Sequence, residues 1–149
     1  LMCASERGHH GVVTLLLNEG ANVKSFNYLQ RDTALMLASK NGHCKVVELL
    51  LGPETGNDVN QTTCTQQWTA LIWACRNGHC DVARLLIDQG ADVNKVKRDG
   101  TSALIWACMS YHLDVAQLLL ERGADPSLAA SNGAAPLTIA PYPRKISDP

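Results

Sequence analysis

Apolar side chains recur along this chain in short blocks, and the blocks repeat at a nearly constant interval. The segment 69–75 reads Thr-Ala-Leu-Ile-Trp-Ala-Cys and returns almost unchanged at 102–108, with weaker copies at 33–39 and 135–140. Successive copies are offset by 36, 33 and 33 residues. An interval of this size is typical of a repeat protein, in which each copy forms one structural unit that stacks on its neighbours.

A second apolar segment follows each block after a short polar loop. Val82, Leu85 and Leu86 have the i, i+3, i+4 spacing of one helical face, and the same spacing recurs at 46–50 and 115–119. The hydroxyl residues that open the first segments are predicted N-caps: Thr33, Thr69 and Ser102. A glycine is predicted to end each second helix: Gly20, Gly56, Gly90 and Gly123. Each unit is therefore predicted to be helix, loop, helix and turn.

The composition agrees with a folded chain and excludes several functions. Hydrophobic residues make up 46% and charged residues 18%, unlike a disordered protein. The net charge of −1 provides no excess of basic residues with which to bind the phosphates of a nucleic acid. The longest apolar run, 103–109, is far shorter than the roughly 18 residues that span a bilayer. No secretory signal is visible, so we expect the protein in the cytoplasm, with the nucleus as the alternative. We also expect a monomer.

The unit resembles the ankyrin repeat, which reads Thr-Pro-Leu-His-x-Ala, Gly-His, an apolar helix and Gly-Ala-Asp-Val-Asn. The matching residues are Thr69, Leu71, Ala74, Gly78, His79, Leu85, Leu86, Gly90, Ala91, Asp92, Val93 and Asn94. The resemblance implies an all-α solenoid with about three full repeats at 28–63, 64–96 and 97–129. A partial repeat at 1–27 and a truncated one at 130–149 flank them. Neither end supplies a complete polar capping repeat, so we expect a segment of a longer protein.

One residue departs from the pattern in the loop between the two helices. Tyr111 stands where the other copies carry a glycine. Because a bulky side chain disfavours the positive φ that such a loop can require, the sequence predicts a local rebuilding of this loop.

The resemblance implies a protein–protein interaction module that binds another protein through its concave face and hairpin tips, within a larger scaffold or signalling protein. The contact candidates at the tips and on the first helices are Gln30, Asp32, Gln66, Trp68, Asp99, Thr101, Lys40, Asn41, Trp73, Arg76, Asn77, Trp106, Met109 and Ser110. Asp32 and Asp99 are expected to set charge complementarity with the partner. The alternative is a spacer or regulatory segment of a multidomain enzyme or channel.

Three tryptophans give the sharpest hypothesis. Trp73 lies about 200° around its helix from Leu71, a predicted core residue, and Trp106 repeats that position one unit later. With Trp68 on the intervening hairpin they could form one strip, with Arg76 and Met109 beside it. Tryptophan and arginine are enriched in interface hot spots. The alternative, that Trp73 and Trp106 fill gaps between repeats, stays open.

Cysteine and histidine do not predict a metal site, a disulfide or a catalytic centre. Equivalent positions of stacked helices lie about 8–10 Å apart, too far for a disulfide. His43–Cys44 and His79–Cys80 recur with the repeat and do not supply four converging zinc ligands. No nucleophile–base pattern or phosphate-binding loop occurs, so we expect neither catalysis nor a cofactor.

Two asparagines are modification candidates by resemblance alone. Asn60 and Asn94 end the Asp-Val-Asn element, where members of the family are hydroxylated by an asparaginyl hydroxylase. Leu86 precedes Asn94 by eight residues, as that resemblance implies for a target site.

Overall fold

The computed structural model describes residues 1–27 and 31–136. Within them the chain forms eight α-helices and no strand beyond two isolated bridges. The helices are α1 (Met2–Glu6), α2 (His10–Asn18), α3 (Ala34–Lys40), α4 (Cys44–Leu50), α5 (Ala70–Arg76), α6 (Cys80–Asp88), α7 (Ala103–Met109) and α8 (Leu113–Glu121). Gln30 and residues 137–149, most of the last predicted repeat, lie outside the described part.

The helices stack in two parallel rows, as the solenoid prediction requires. The odd-numbered helices contact one another in sequence along one row, and the even-numbered helices along the other. The core lies between the rows, where Leu71 and Leu104 occupy matching positions and are each 1% exposed. The all-α solenoid is therefore confirmed.

Side-chain caps begin α3, α5 and α7 where the sequence predicts them. The hydroxyl of Thr69 accepts a hydrogen bond from the backbone N–H of Ile72 at 3.1 Å. Thr33 and Ser102 cap α3 and α7 in the same way, at 3.3 and 3.2 Å. These bonds satisfy backbone donors that the first turn of a helix leaves free.

Glycine ends three of the four second helices in the described part. Gly20, Gly90 and Gly123 follow α2, α6 and α8 with positive φ. The prediction is wrong for Gly56, because α4 already ends at Leu50. There the inserted loop supplies side-chain donors: the Thr55 hydroxyl and the Asn57 amide both donate to the Leu50 carbonyl, at 2.8 and 3.0 Å.

A histidine joins each of three repeats to the one before. Nε2 of His43, His79 and His112 donates to the carbonyl oxygens of Glu6, Lys40 and Arg76, at 2.9, 3.0 and 3.2 Å. The imidazole ring lies against a loop glycine of the preceding repeat. A Cβ added at Gly78 would approach His112 to 2.6 Å. This joint therefore requires both the glycine and the histidine.

The loop at Tyr111 is not rebuilt, which contradicts the prediction. Tyr111 keeps a φ of +59°. The backbone N–H of the next residue, His112, donates to the Ala107 carbonyl at 2.9 Å, as the backbone N–H of His79 does to the Ala74 carbonyl at 3.0 Å. The side chain is 70% exposed, so its bulk projects outward. Because the ring lies largely in solvent, its bulk does not force the loop out of this backbone conformation.

The asparagine side chains join the turns of successive repeats. Asn94 Nδ2 donates to the Gly123 carbonyl at 3.2 Å, and its Oδ1 accepts from Asp125 N at 2.8 Å. Asn60 makes the same two bonds to Gly90 and Asp92, at 3.0 and 2.8 Å. These residues have a structural role whether or not they are modified, and their hydroxylation stays a prediction.

Candidate functional site

Trp68, Trp73 and Trp106 come together as one group of rings, which we call the tryptophan cluster. The Trp68 and Trp73 centroids lie 4.0 Å apart with an angle of 12° between the ring planes. Trp106 lies 5.5 Å from Trp68 at 31°. Such offset aromatic pairs contribute about 0.5–1.5 kcal/mol beyond the area they bury. The predicted strip of three tryptophans is present.

The local backbone explains why Trp68 reaches the other two rings. Trp73 and Trp106 occupy the same position in α5 and α7, whereas Trp68 lies on the hairpin tip before α5. The tip is closed by Thr63, whose N–H donates to the Trp68 carbonyl and whose hydroxyl accepts from Trp68 N, both at 3.0 Å. Gln67 adopts a φ of +57° to make the turn. The hairpin thus folds Trp68 over the first turns of the helices.

Three cationic side chains lie against the tryptophan cluster. Arg76 Cζ lies 4.7 Å from the Trp106 centroid and 5.4 Å from each of the other two. Lys97 Nζ lies 4.3 Å from Trp68, and Lys40 Nζ lies 4.5 Å from Trp73. All are within the roughly 6 Å over which a ring attracts a cation. Lys97 was not predicted, because nothing in its local sequence marks it as a ring contact.

The three cations differ in how far acidic groups neutralise them. Lys97 Nζ pairs with Asp99 Oδ2 at 2.9 Å. Burial would raise the pKa of Asp99, but hydrogen bonds from Lys97 and Thr101 outweigh it and hold the pKa at about 2. Arg76 forms no salt bridge with any residue in the described ranges. Lys97 therefore already has an anionic partner among the described residues, whereas Arg76 does not.

Asp32 does not face outward, contrary to the expectation that it meets a partner. It is 1% exposed. Burial raises the pKa of its carboxyl, although the charge of Lys40 and the nearby indole N–H of Trp73 act in the opposite direction. Oδ1 of Asp32 and Nε1 of Trp73 are both sealed from solvent, and neither has a hydrogen-bond partner of good geometry among the described residues.

The two alternatives for the tryptophans resolve differently along the cluster. Trp73 is 7% exposed and packs in the core, so it fills the space between repeats and supports the ring above it. The expectation that it projects outward is corrected, because the hairpin places Trp68 over it. Trp68 and Trp106 are half-buried and keep accessible edges. Met109 is 45% exposed.

Among the remaining candidates, Thr101 is buried at 6% exposure, whereas Asn77 joins two helices. Asn77 is exposed, but its amide donates to the Lys40 carbonyl at 2.9 Å and so joins α5 to α3. A cavity of about 320 Å³ opens beside the tryptophan cluster. It is lined by Asp32, Thr63, Thr65, Gln66, Trp68, Trp73 and Arg76.

Comparison with known proteins identifies the family. A family model described as ankyrin repeats (3 copies) matches residues 1–63 and 55–130. This chain belongs to the ankyrin-repeat family. Ankyrin repeats are non-catalytic protein-interaction modules, and here two first helices and the hairpin tip between them carry the tryptophan cluster.

Similar curated proteins match over a short stretch of this ankyrin chain. A probable E3 ubiquitin-protein ligase of Oryza sativa subsp. japonica, XBOS33, is 50% identical over 48 residues, which are 32% of this chain and 9% of that protein. The E3 ubiquitin-protein ligase XBAT33 of Arabidopsis thaliana matches to the same extent. XBOS32 of Oryza sativa is 44% identical over 48 residues, 10% of its length. The match thus spans about a tenth of these relatives.

The part of the ankyrin chain that the structure describes contains free thiols and no cluster of metal-ligating side chains. No group of three or more His, Cys, Asp or Glu side chains among those residues could hold a metal ion. All six cysteines fall within it and are free thiols. Burial raises the pKa of the Cys75 thiol beyond its usual range, which disfavours the reactive thiolate. No helix among the described residues is long and apolar enough to cross a bilayer.

Proposed function

We propose that this ankyrin chain binds a partner protein through the tryptophan cluster on its concave side, as part of a larger scaffold or signalling protein. The observation that carries the proposal is the concentration of three tryptophans and three cations at one place. The first full repeat, 28–63, shows that stacking of the repeats does not by itself need tryptophans. There Leu37 occupies the position of Trp73 and is 6% exposed, so a leucine fills the same gap.

The cluster has the properties of a binding anchor. Trp68 and Trp106 are half-buried apolar rings with part of their surface accessible, and Arg76 adds hydrogen-bond donors beside them. Residues of these types dominate interface energetics. Because the rings and cations hold one another in place before a partner arrives, little conformational entropy remains to be lost on binding.

The test is a selection of binding peptides from a displayed library, followed by affinity measurements with purified variants. Trp68→Ala should weaken the binding of the selected peptides by about 2 kcal/mol or more, which is roughly a 30-fold loss of affinity. Tyr111→Ala is the matched control, because it removes an exposed aromatic ring from the loop between α7 and α8. Equal affinities for Trp68→Ala and the wild-type chain, with unchanged helicity, would contradict the proposal.

A second candidate is a spacer or regulatory segment of a larger enzyme. It is favoured by the similarity to E3 ubiquitin-protein ligases, in which the matched stretch is 9–10% of the protein. On this hypothesis the isolated chain selects no peptide that depends on Trp68. The same selection therefore separates the two candidates.

A further inference from the structure

We propose that the partner presents an acidic segment, and that Arg76 receives one of its carboxylates at the tryptophan cluster. This inference rests on the proposed function and adds the chemistry of the partner.

Arg76 is a cation held in place without a counterion. Its Cζ lies 4.7–5.4 Å from the centroids of all three rings, yet it forms no salt bridge with a residue in the described part of the chain. A guanidinium among ring faces keeps N–H donors in its own plane, where a carboxylate can accept two of them at once. The structure supplies the donor and leaves the acceptor to a partner.

The cavity beside Arg76 is suited to receive such a group. Its lining combines the guanidinium with the hydroxyl of Thr65 and the amide of Gln66, which also carry donors. The one acid in the lining is Asp32, which is 1% exposed and lies close to Lys40. Arg76, Thr65 and Gln66 have surface open to solvent, whereas the indole N–H of Trp73 is sealed from it.

A cationic ligand is the obvious competitor, because clustered aromatic rings attract ammonium groups. Here the chain's own Lys40, Arg76 and Lys97 already lie against the rings, so a further cation would meet repulsion.

The charges of the segments around the tryptophan cluster also favour an acidic ligand. Residues 31–40, 61–76 and 97–109 hold five basic and two acidic side chains, although the whole chain has a net charge of −1. Of the two acids, Asp99 is paired and Asp32 is buried.

The test uses three short synthetic peptides of equal length that differ at a single position. That position is flanked by glycine and serine and holds glutamate, glutamine or lysine. Calorimetry with the full chain should show the glutamate peptide binding about tenfold or more tightly than the other two. Arg76→Gln should weaken the glutamate peptide roughly tenfold or more, and Arg76→Lys by less, because it keeps the charge. Arg84→Gln, on the exposed side of α6, is the matched control and should change little.

Tighter binding of the lysine peptide, or equal affinities for the glutamate and glutamine peptides, would overturn the inference. So would equal losses of affinity for the glutamate peptide in Arg76→Gln and Arg84→Gln, because they would indicate diffuse charge attraction. Near-ultraviolet circular dichroism checks that the stacked rings survive in each Arg76 variant. The proposed function fails separately. Peptides selected from the library that need Trp68 but tolerate Arg76→Gln would refute only the acidic partner, whereas peptides indifferent to Trp68 would refute the binding site itself.

Discussion

Replacing a loop glycine tests how strongly neighbouring repeats depend on their close contact. Gly78 has a φ of +75°, and an alanine Cβ there would approach the ring of His112 to 2.6 Å. Gly90 has a φ of +88°, but a Cβ there meets nothing within 4 Å. The two positions share the backbone conformation and differ in the steric contact. Gly90→Ala is therefore a matched control for Gly78→Ala.

The structure gives the expected magnitudes. A left-handed conformation costs an alanine about 1–2 kcal/mol, which is the whole expected effect at Gly90. At Gly78 the added methyl group must also displace the His112 imidazole, whose Nε2 donates to the Arg76 carbonyl at 3.2 Å. Losing that bond removes about another 0.5–1.5 kcal/mol, and disturbed packing adds to it. We expect Gly78→Ala to lower the free energy of unfolding by about 2–4 kcal/mol.

Urea denaturation followed by far-ultraviolet circular dichroism measures both variants. Repeat arrays can lose cooperativity, so equal slopes of the unfolding free energy against urea are needed before midpoints are compared. Equal destabilisation by Gly78→Ala and Gly90→Ala would refute the reasoning, because the contact with His112 would then contribute nothing.

Two further predictions concern a joint and a buried acid. Asn94→Ala removes both bonds to the next turn and should cost about 1–2 kcal/mol in urea denaturation; an unchanged midpoint would contradict this role. For Asp32, a pKa raised by burial means that the folded state holds its proton more tightly. Stability of the wild-type chain should therefore fall as pH rises from the ordinary value near 3.8 through the raised one, whereas Asp32→Asn should lack this fall. A stability difference between the two that does not vary with pH would exclude the argument.

Local sequence was sufficient for the repeat, the helices and their caps. The hydroxyl of Thr69 caps α5 through an N–H three residues away, and Leu71 is buried by the periodicity of its own helix. Interactions of this range are contained within one repeat. They can therefore be predicted from the spacing of residues in a single copy.

The composition of the site was only partly predictable. The sequence marked Trp68, Trp106 and Arg76, but it did not predict Lys97, and it left open whether Trp73 contacts a partner or fills the space between repeats. The difference arises because Trp73 is covered by the hairpin before its helix, and Lys97 comes from the hairpin of the next repeat. No pattern within one helix encodes which ring lies above another.

By itself the sequence determined that helical hairpins recur, which faces of their helices are apolar and where α3, α5 and α7 begin. Tertiary structure alone decided that Asp32 is sealed in, that α4 ends at Leu50 and that Arg76 lies among three rings with no described acid paired to it. The physical reason is range. Periodicity and capping act within one or two helical turns, whereas burial and ion pairing depend on side chains brought together from different repeats.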